Sequence, residues 1–188
     1  MLNIIAGTLS SPLVIAPNSY ESIATTTLST TTATITFSSI PSTYTHLQLR
    51  IFAKTDRALN RDTINLTFNG TSGGTAYSRH GLYGDGSTVG AEGSQSQPSI
   101  FILRASGNSS ATNIFGGIIV DILDYTNTNK YKTVRSLGGV DTNGAGEITF
   151  YSGSYQATTS ISSITLSPVN GTNFLQYSSF ALYGIKGV

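Results

Sequence analysis

The chain contains two histidines, His46 and His80, and imidazole is the side chain that most often acts as a general base near neutral pH. A nucleophilic hydrolase needs such a base within hydrogen-bond reach of its nucleophile. His46 directly precedes an alternating apolar run, so we predict a hydrogen bond at a strand end. His80 lies in Tyr77-Ser78-Arg79-His80, where a structural or contact role is favoured. Their spacing also argues against a metal site, which usually brings histidines close together in the sequence.

Glycoside hydrolysis requires a pair of carboxyl groups flanking the scissile bond. Asp121 and Asp124 are close in sequence, but Asp121 alternates with apolar neighbours and therefore points to the polar side of its strand. We interpret Asp121 as part of a solvated or ion-paired face and Asp124 as the start of a turn. The other three acids considered, Glu21, Glu92 and Glu147, are isolated in sequence.

The segment Asp141–Glu147, Asp-Thr-Asn-Gly-Ala-Gly-Glu, is partly similar to a calcium loop. It lacks the three early oxygen side chains and the distant glutamate of that loop, so a tight hairpin turn is the favoured interpretation. The glycine clusters contain no Gly-Lys-Ser/Thr phosphate loop, and the absence of cysteine excludes thiol catalysis and cysteine-based zinc sites. The sequence therefore predicts a protein that is not an enzyme, with no catalytic, cofactor-binding or metal-binding residues.

Alternation of apolar and polar residues dominates the chain and is typical of half-buried antiparallel strands. Turn dipeptides such as Asn69-Gly70 and Asn143-Gly144 separate the runs, and no segment has helical periodicity with a cap at each end. The pattern predicts an all-β fold, an antiparallel β-sandwich that is jelly-roll-like, with about nine or ten strands. The clearest runs are Ile35–Phe37, Leu47–Ile51, Ile64–Phe68, Ile118–Ile122, Ile148–Phe150, Ile164–Leu166 and Phe180–Leu182.

The composition limits the kinds of partner. The 188 residues include 26 Ser and 27 Thr but only ten basic and nine acidic side chains. Hydroxyl groups therefore supply most of the surface polarity, and the charge balance gives no electrostatic reason to expect nucleic acid or an anionic membrane as partner. No run approaches the ~18 apolar residues of a transmembrane helix. Low charge also removes one defence against association, which favours a homo-oligomer.

Two segments differ from the rest. Residues 1–19 are apolar, lack alternation and contain Pro12 and Pro17. Because no basic residues precede the apolar stretch, we do not expect a signal peptide here. We predict an N-terminal arm over 1–19, packed on its own domain or on a neighbour, and a single β-sandwich domain over 20–188. Residues Gly84–Pro98 are rich in Gly, Ser and Gln, which predicts a long exposed loop that contacts partners.

Several blocks between residues 20 and 187 resemble a family of small structural proteins and fibre modules from the virions of tailed phages, including cyanophages. The resemblance rests on Ile40–Arg50 (Ile-Pro-Ser-Thr-Tyr-Thr-His-Leu-Gln-Leu-Arg), Leu66–Gly70, Tyr77–His80 with Gly84–Gly86, Asp121–Lys130 with Lys132–Ser136, and Tyr177–Gly187.

The resemblance implies a capsid decoration or cement protein on the outside of the virion, assembled in the host cytoplasm. It would bind the major capsid protein lattice as a homo-oligomer, with a trimer favoured. The alternative is a tail-associated fibre or adhesin component that binds a host surface glycan. Five tyrosines are candidate platforms for sugars in that case, although rings at strand edges are commonly structural: Tyr77, Tyr83, Tyr125, Tyr151 and Tyr155.

Overall fold

The computed structural model describes residues 19–187 and contains no helix in that range. It has twelve β-strands: β1 (Tyr20–Thr27), β2 (Ile35–Phe37), β3 (His46–Ala53), β4 (Arg61–Phe68), β5 (Tyr77–Gly84), β6 (Val89–Gln97), β7 (Ile100–Ser106), β8 (Gly116–Leu123), β9 (Lys132–Asp141), β10 (Gly146–Tyr155), β11 (Ile164–Pro168) and β12 (Ser179–Ile185).

The strands form two antiparallel sheets, which confirms the predicted all-β sandwich. The large sheet has the order β1-β12-β3-β8-β9-β10-β5-β6, and the small sheet has the order β2-β11-β4-β7. The small sheet is half as wide as the large one, and its edge strand β7 packs against β8, β9 and β10. Strands β5 and β6 therefore extend beyond most of the small sheet.

The core lies between the small sheet and the strands opposite it. Alternate residues of β3, β4, β8, β11 and β12 point inward, as their period of two requires. The aromatic pair Phe174 and Phe180 packs edge to face at 4.9 Å, which closes the core next to the β11–β12 connection. The fully buried aliphatic side chains include Leu47, Leu49, Ile64, Leu66, Ile102, Val120, Ile122, Ile164 and Leu182.

Two predictions about strands were wrong. The structure has twelve strands instead of nine or ten, and the predicted loop Gly84–Pro98 contains the nine-residue edge strand β6. Gly, Ser and Gln are weak strand formers, but backbone pairing of β6 with β5 along Tyr77–Gly84 overrides that preference. The segment is still exposed along most of its length.

The predicted hairpin turn at Asp141–Glu147 is confirmed. Strand β9 ends at Asp141 and β10 begins at Gly146, and the amide of Thr142 donates to the carbonyl of Ala145 at 2.7 Å. Asn143 and Gly144 have φ values of 57° and 127°, a region that Asn and Gly adopt at the least cost. The predicted arm over 1–19 lies, except for Ser19, outside the described residues.

Candidate functional site

The first candidate residues, His46 and Asp124, meet at the end of a strand. His46 begins β3, and its Nδ1 accepts a hydrogen bond from the backbone amide of Asp124 at 2.9 Å, as predicted for a strand end. Asp124 has a φ of 48° and its carbonyl accepts from the amide of Asn127 at 3.0 Å, so it does start a turn. A contact with Lys130 lowers the pKa of the Asp124 carboxyl, with a smaller contribution from His46. The hydrogen bond between Asp124 and His46 therefore links the turn after β8 to the start of β3.

The second pair of candidates, His80 and Asp121, lies apart from the first, on the outer face of the large sheet. Asp121 accepts a hydrogen bond from Gln48 Nε2 at 2.7 Å and is paired in register with Arg135. His80 is exposed on β5, opposite Ser152 of β10. The structure places these polar side chains in one row across the strands, Gln48-Asp121-Arg135-Ser152-His80.

Within residues 19–187, no group of three His, Asp or Glu side chains is arranged to hold a metal ion. In the same part of the chain, no helix has the length and hydropathy to cross a bilayer.

Four of the five tyrosines considered as sugar platforms are buried. Tyr77, Tyr125, Tyr151 and Tyr155 are at most 3% exposed, and Tyr77 stacks on Tyr155 at 5.0 Å. The Tyr77 hydroxyl donates to the carbonyl of Thr71 at 3.0 Å and accepts from the amide of Phe68 at 2.9 Å, and burial is the main reason that its pKa rises to about 12. The prediction that these four rings could stack on a glycan was wrong, because the sandwich uses them as core side chains.

The most unusual feature of the described chain is an apolar outer face on the large sheet. Ile119, Leu137, Phe150 and Leu82 form one row of directly opposed residues across β8, β9, β10 and β5. Ile148 and Val89 lie in the next row. We call these six residues the apolar face; they are between 42% and 87% exposed. Contiguous exposed apolar side chains of this kind mark interaction sites more often than scattered ones do.

The sequence correctly predicted that Ile148 and Phe150 lie in a strand. It placed their side chains on the buried face, whereas both are exposed on the outer face. Strand β10 does alternate, yet its inward side chains are Glu147, Thr149 and Tyr151. Periodicity detects the strand but does not say which of its two faces is buried. No local signal in the sequence reveals this inversion, because an acid that alternates with apolar residues usually points to solvent and is buried only when it has a partner.

That partner is present beneath the apolar face. Glu147 accepts from Arg104 Nε at 2.5 Å and forms an ion pair with Arg61 Nη1 at 3.1 Å. Arg104 Nη1 also donates to Thr63 Oγ1 at 3.1 Å. The inner surface below the face is therefore held by ionic and hydrogen-bonded contacts between β10, β7 and β4.

A second buried cation lies nearer the edge of the sheet. The Arg79 guanidinium stacks on the Phe101 ring at 3.6 Å and lies 3.6 Å from Glu92. Its Nε atom and the Tyr151 hydroxyl are buried without a hydrogen-bond partner, and burial with the nearby Glu92 carboxylate raises the pKa of Tyr151. This part of the sandwich is packed less favourably than the aliphatic core, because an unmatched buried polar atom costs stability.

Glycines make two recesses in the apolar face. The row Phe52-Gly117-Gly139-Ile148-Gly84-Val89 crosses the sheet beside the first row. The larger recess lies over Gly117 and Gly139, has a volume of about 1080 Å³ and is flanked by Phe52 and Ile148. The smaller recess lies over Gly84, has a volume of about 360 Å³ and is lined by Leu82, Val89 and Phe150 among others.

The apolar face has the anatomy of a modest protein interface, with an apolar centre and a polar border. The row from Gln48 to His80 forms one border, and the hairpin turns at Asp85 and Asp141 lie at the other. Strand spacing and two rows of side chains give an area of about 300 Å². A stable two-protein interface needs about 800 Å² from each partner, so one such face would bind strongly only when contacts are repeated.

No protein-family model, curated protein or solved structure matches this chain.

Proposed function

We propose that this chain is a non-enzymatic structural protein of a tailed-phage virion, a decoration protein bound to the outside of the head lattice as a homo-oligomer. The observation that carries the proposal is the apolar face. Its exposed apolar side chains are suited to contact with protein, either the particle's other subunits or neighbouring copies of this chain.

The order of the strands supports the jelly-roll prediction that accompanies this proposal. Without the hairpins β5–β6 and β9–β10, the remaining strands form two sheets with the orders β1-β12-β3-β8 and β2-β11-β4-β7. The chain changes sheet at every step of this reduced set except from β4 to β7. Two four-stranded sheets connected in this way correspond to the double Greek key of jelly rolls, which are common in capsid proteins.

The small area of the apolar face favours a repeated particle over an isolated complex. A contact of a few hundred Å² gives a weak single bond, but copies arranged around a symmetric site bind together and gain avidity. A lattice supplies that repetition. The low charge of the chain, ten basic against nine acidic residues, also allows many copies to sit side by side without strong mutual repulsion.

The alternative, a tail-associated adhesin that binds a glycan, has less support. Four of the five tyrosines that could have stacked on a sugar belong to the core. The larger recess is lined mainly by glycines and apolar side chains, with Arg50, Asp85 and Asp141 also among its lining residues, whereas sugar sites need several convergent hydrogen-bonding groups to fix the hydroxyls.

The experiment is a count of copies in purified particles of the phage that encodes this chain, by quantitative mass spectrometry. Hundreds of copies per particle would support a head decoration protein, and a handful would overturn it in favour of a tail component. Particles assembled with the variant Ile148→Asp should carry fewer copies than wild type, because a charge is placed in the apolar face. The matched control is Thr133→Asp, an exposed polar position on the outer side of β9, which should load normally. Equal loading of both variants would show that the apolar face is not the attachment surface.

A further inference from the structure

We propose that residues 1–18 of a neighbouring copy occupy the apolar face, so that the copies of an oligomer are joined by exchanged segments. The inference rests on the proposed function and names the partner at the same surface. Residues 1–18 contain no charged side chain, and the six residues of the apolar face contain none either. A neutral apolar segment is the complement that such a surface requires.

The recesses suit the spacing of apolar residues in this segment. Their centres lie about 12 Å apart, counted from Gly117–Gly139 to Gly84 at the usual strand spacing. In an extended chain, side chains four residues apart point the same way and are separated by about 13 Å. Ile5, Leu9 and Leu13 have this spacing, so two of them can enter the two recesses together.

The prolines of the segment favour docking on a face over addition to a sheet edge. Pro12 and Pro17 have no amide hydrogen and interrupt a backbone ladder. A segment that docks on a sheet surface through its side chains needs no backbone hydrogen bonds to the sheet, because its own backbone polar groups can remain in water. The prolines would limit the conformations of the free segment and so reduce the entropy lost when it binds.

The geometry favours a neighbouring copy over the same chain. The described chain starts at the end of the large sheet where Tyr20 pairs with Ile185 and Ile185 pairs with His46. The apolar face lies four or five strands across and about five residues along the sheet, a diagonal of about 28 Å. A segment of 18 residues spans up to about 60 Å, so it can reach.

The last four apolar residues of the segment would then fall short of the apolar face of their own chain. Leu13–Ala16 end only three residues before Ser19, so they extend at most about 20 Å from it. On the same chain they would rest near the polar row that contains Asp121 and Arg135. A segment from another copy has no such restriction, so Leu13 and the residues that follow it can also lie on the apolar face.

The chain has no cysteine, so the proposal can be tested by mixing two full-length variants with one cysteine each. One chain carries Leu13→Cys or Ile5→Cys, and the other carries Leu137→Cys at the centre of the apolar face. The two chains have tags of different length and are mixed, incubated under mild oxidation and separated on a non-reducing gel. Because each chain has one thiol, a mixed disulfide reports only contact between copies, with sulfurs brought within bonding distance.

The matched control for the face is Thr133→Cys, which is exposed on the same side of the same strand β9 but outside the apolar face. We expect the mixed disulfide with Leu137→Cys to form several-fold faster than with Thr133→Cys. Equal rates for the two positions would overturn the proposal. A double variant with both cysteines in one chain tests the other occupant: a monomeric cross-link without mixed dimers would show that the segment covers its own face, and would also overturn the exchange.

This experiment uses purified chain without particles, so its result is independent of the count in virions. If the mixed disulfide fails to form but Ile148→Asp still lowers particle loading, the proposed function stands and the capsid is the occupant of the apolar face. If the mixed disulfide forms but the chain is absent from heads, the exchange stands and the decoration role is wrong.

Discussion

The two halves of the large sheet differ in the side chains that they bury. In the covered half, β1, β12, β3 and β8 face the small sheet with aliphatic side chains such as Leu49, Val120 and Leu182. In the other half, which we call the extension, β9 and β10 pack against the edge strand β7, and β5 and β6 lie beyond most of the small sheet. The inward side chains of the extension include the charged Lys132 and Glu147. The inner side of the extension also buries the rings of Tyr77, Tyr151 and Tyr155, while its outer side carries the exposed side chains of the apolar face.

The covered half therefore contributes most of the stability of the fold, and the extension carries the exposed surface that is suited to interaction. The covered half gains its stability from burial of apolar area, at roughly 25 cal/mol per Å². The extension is held by backbone pairing, by buried tyrosines such as the stacked pair Tyr77 and Tyr155, and by ionic contacts whose net contribution is small, although breaking one of them is costly. Apolar side chains on the outside of the extension are 42–87% exposed and add little to the fold, which is the physical basis for the contact proposed above.

Within the extension, the largest loss of stability should follow removal of one member of the buried ion pair. Glu147→Ala leaves Arg104 and Arg61 beneath the sheet without their carboxylate, and we expect the free energy of unfolding to fall by about 3–5 kcal/mol. The matched control is Glu21→Ala, which removes an acid whose ion pair with Lys186 has both side chains about a third exposed and should cost much less, because solvent screens an exposed ion pair. Chemical denaturation of both variants gives the two values. Similar small losses would mean that the extension does not depend on its buried ions.

A pair of identical substitutions tests the comparison between the two halves. Leu49→Ala in β3 removes a fully buried side chain of the covered half and should cost about 2–5 kcal/mol. Leu137→Ala in β9 removes a side chain that is 51% exposed and should change stability by no more than about 0.5 kcal/mol. Thermal unfolding of the two purified variants measures both. A large loss for Leu137→Ala would show that the apolar face contributes to the fold itself.

The smallest predicted effect is a pH dependence located in the covered half. Asp56 accepts hydrogen bonds from the amide and hydroxyl of Thr172 at 2.7 and 2.6 Å, and from the amide and side chain of Asn173 at 3.1 and 2.9 Å. Burial alone would raise its pKa, but these bonds outweigh burial and lower the pKa from 3.8 to about 2.

Because the pKa of Asp56 is lower in the folded chain, its contribution to stability is present above about pH 3.8 and is lost as the pH falls towards 2. After allowance for partial exposure, the contribution is about 1–2 kcal/mol. Asp56→Asn should be less stable than wild type at pH 6 and should lose less stability between pH 5 and pH 2, as read from unfolding midpoints. An unchanged slope in that range would contradict the assignment.

The sequence predicted the covered half better than the extension. Runs such as Leu47–Ile51 and Phe180–Leu182 combine period two with a buried apolar face, so local pattern and tertiary packing agree there. Strand β6 was missed because its Gly, Ser and Gln residues carry no strand preference and only pairing with β5 makes it a strand. The apolar face was missed for a related reason: alternation identifies a strand but does not show which of its two faces is buried.

The polar candidates illustrate a second limit. His46 as a strand-end acceptor and Asp124 as a turn residue followed from their positions beside recognisable runs. The partners of Glu147, which come from β4 and β7, are 86 and 43 residues away in the chain. Contacts at that separation depend on how the sheets are stacked, and no local pattern specifies the stacking.

The positions of the last two strands determine when this chain can fold during synthesis. Strand β11 lies between β2 and β4, and β12 lies between β1 and β3. A nascent chain that has emerged only as far as β10 has a missing strand in each sheet and leaves the facing edges of these four strands unpaired. Such edges template association with other chains. The sandwich can therefore close only after Ile185 has left the ribosome. Until then, only locally formed hairpins and the chaperones of the cell can protect the unpaired strand edges.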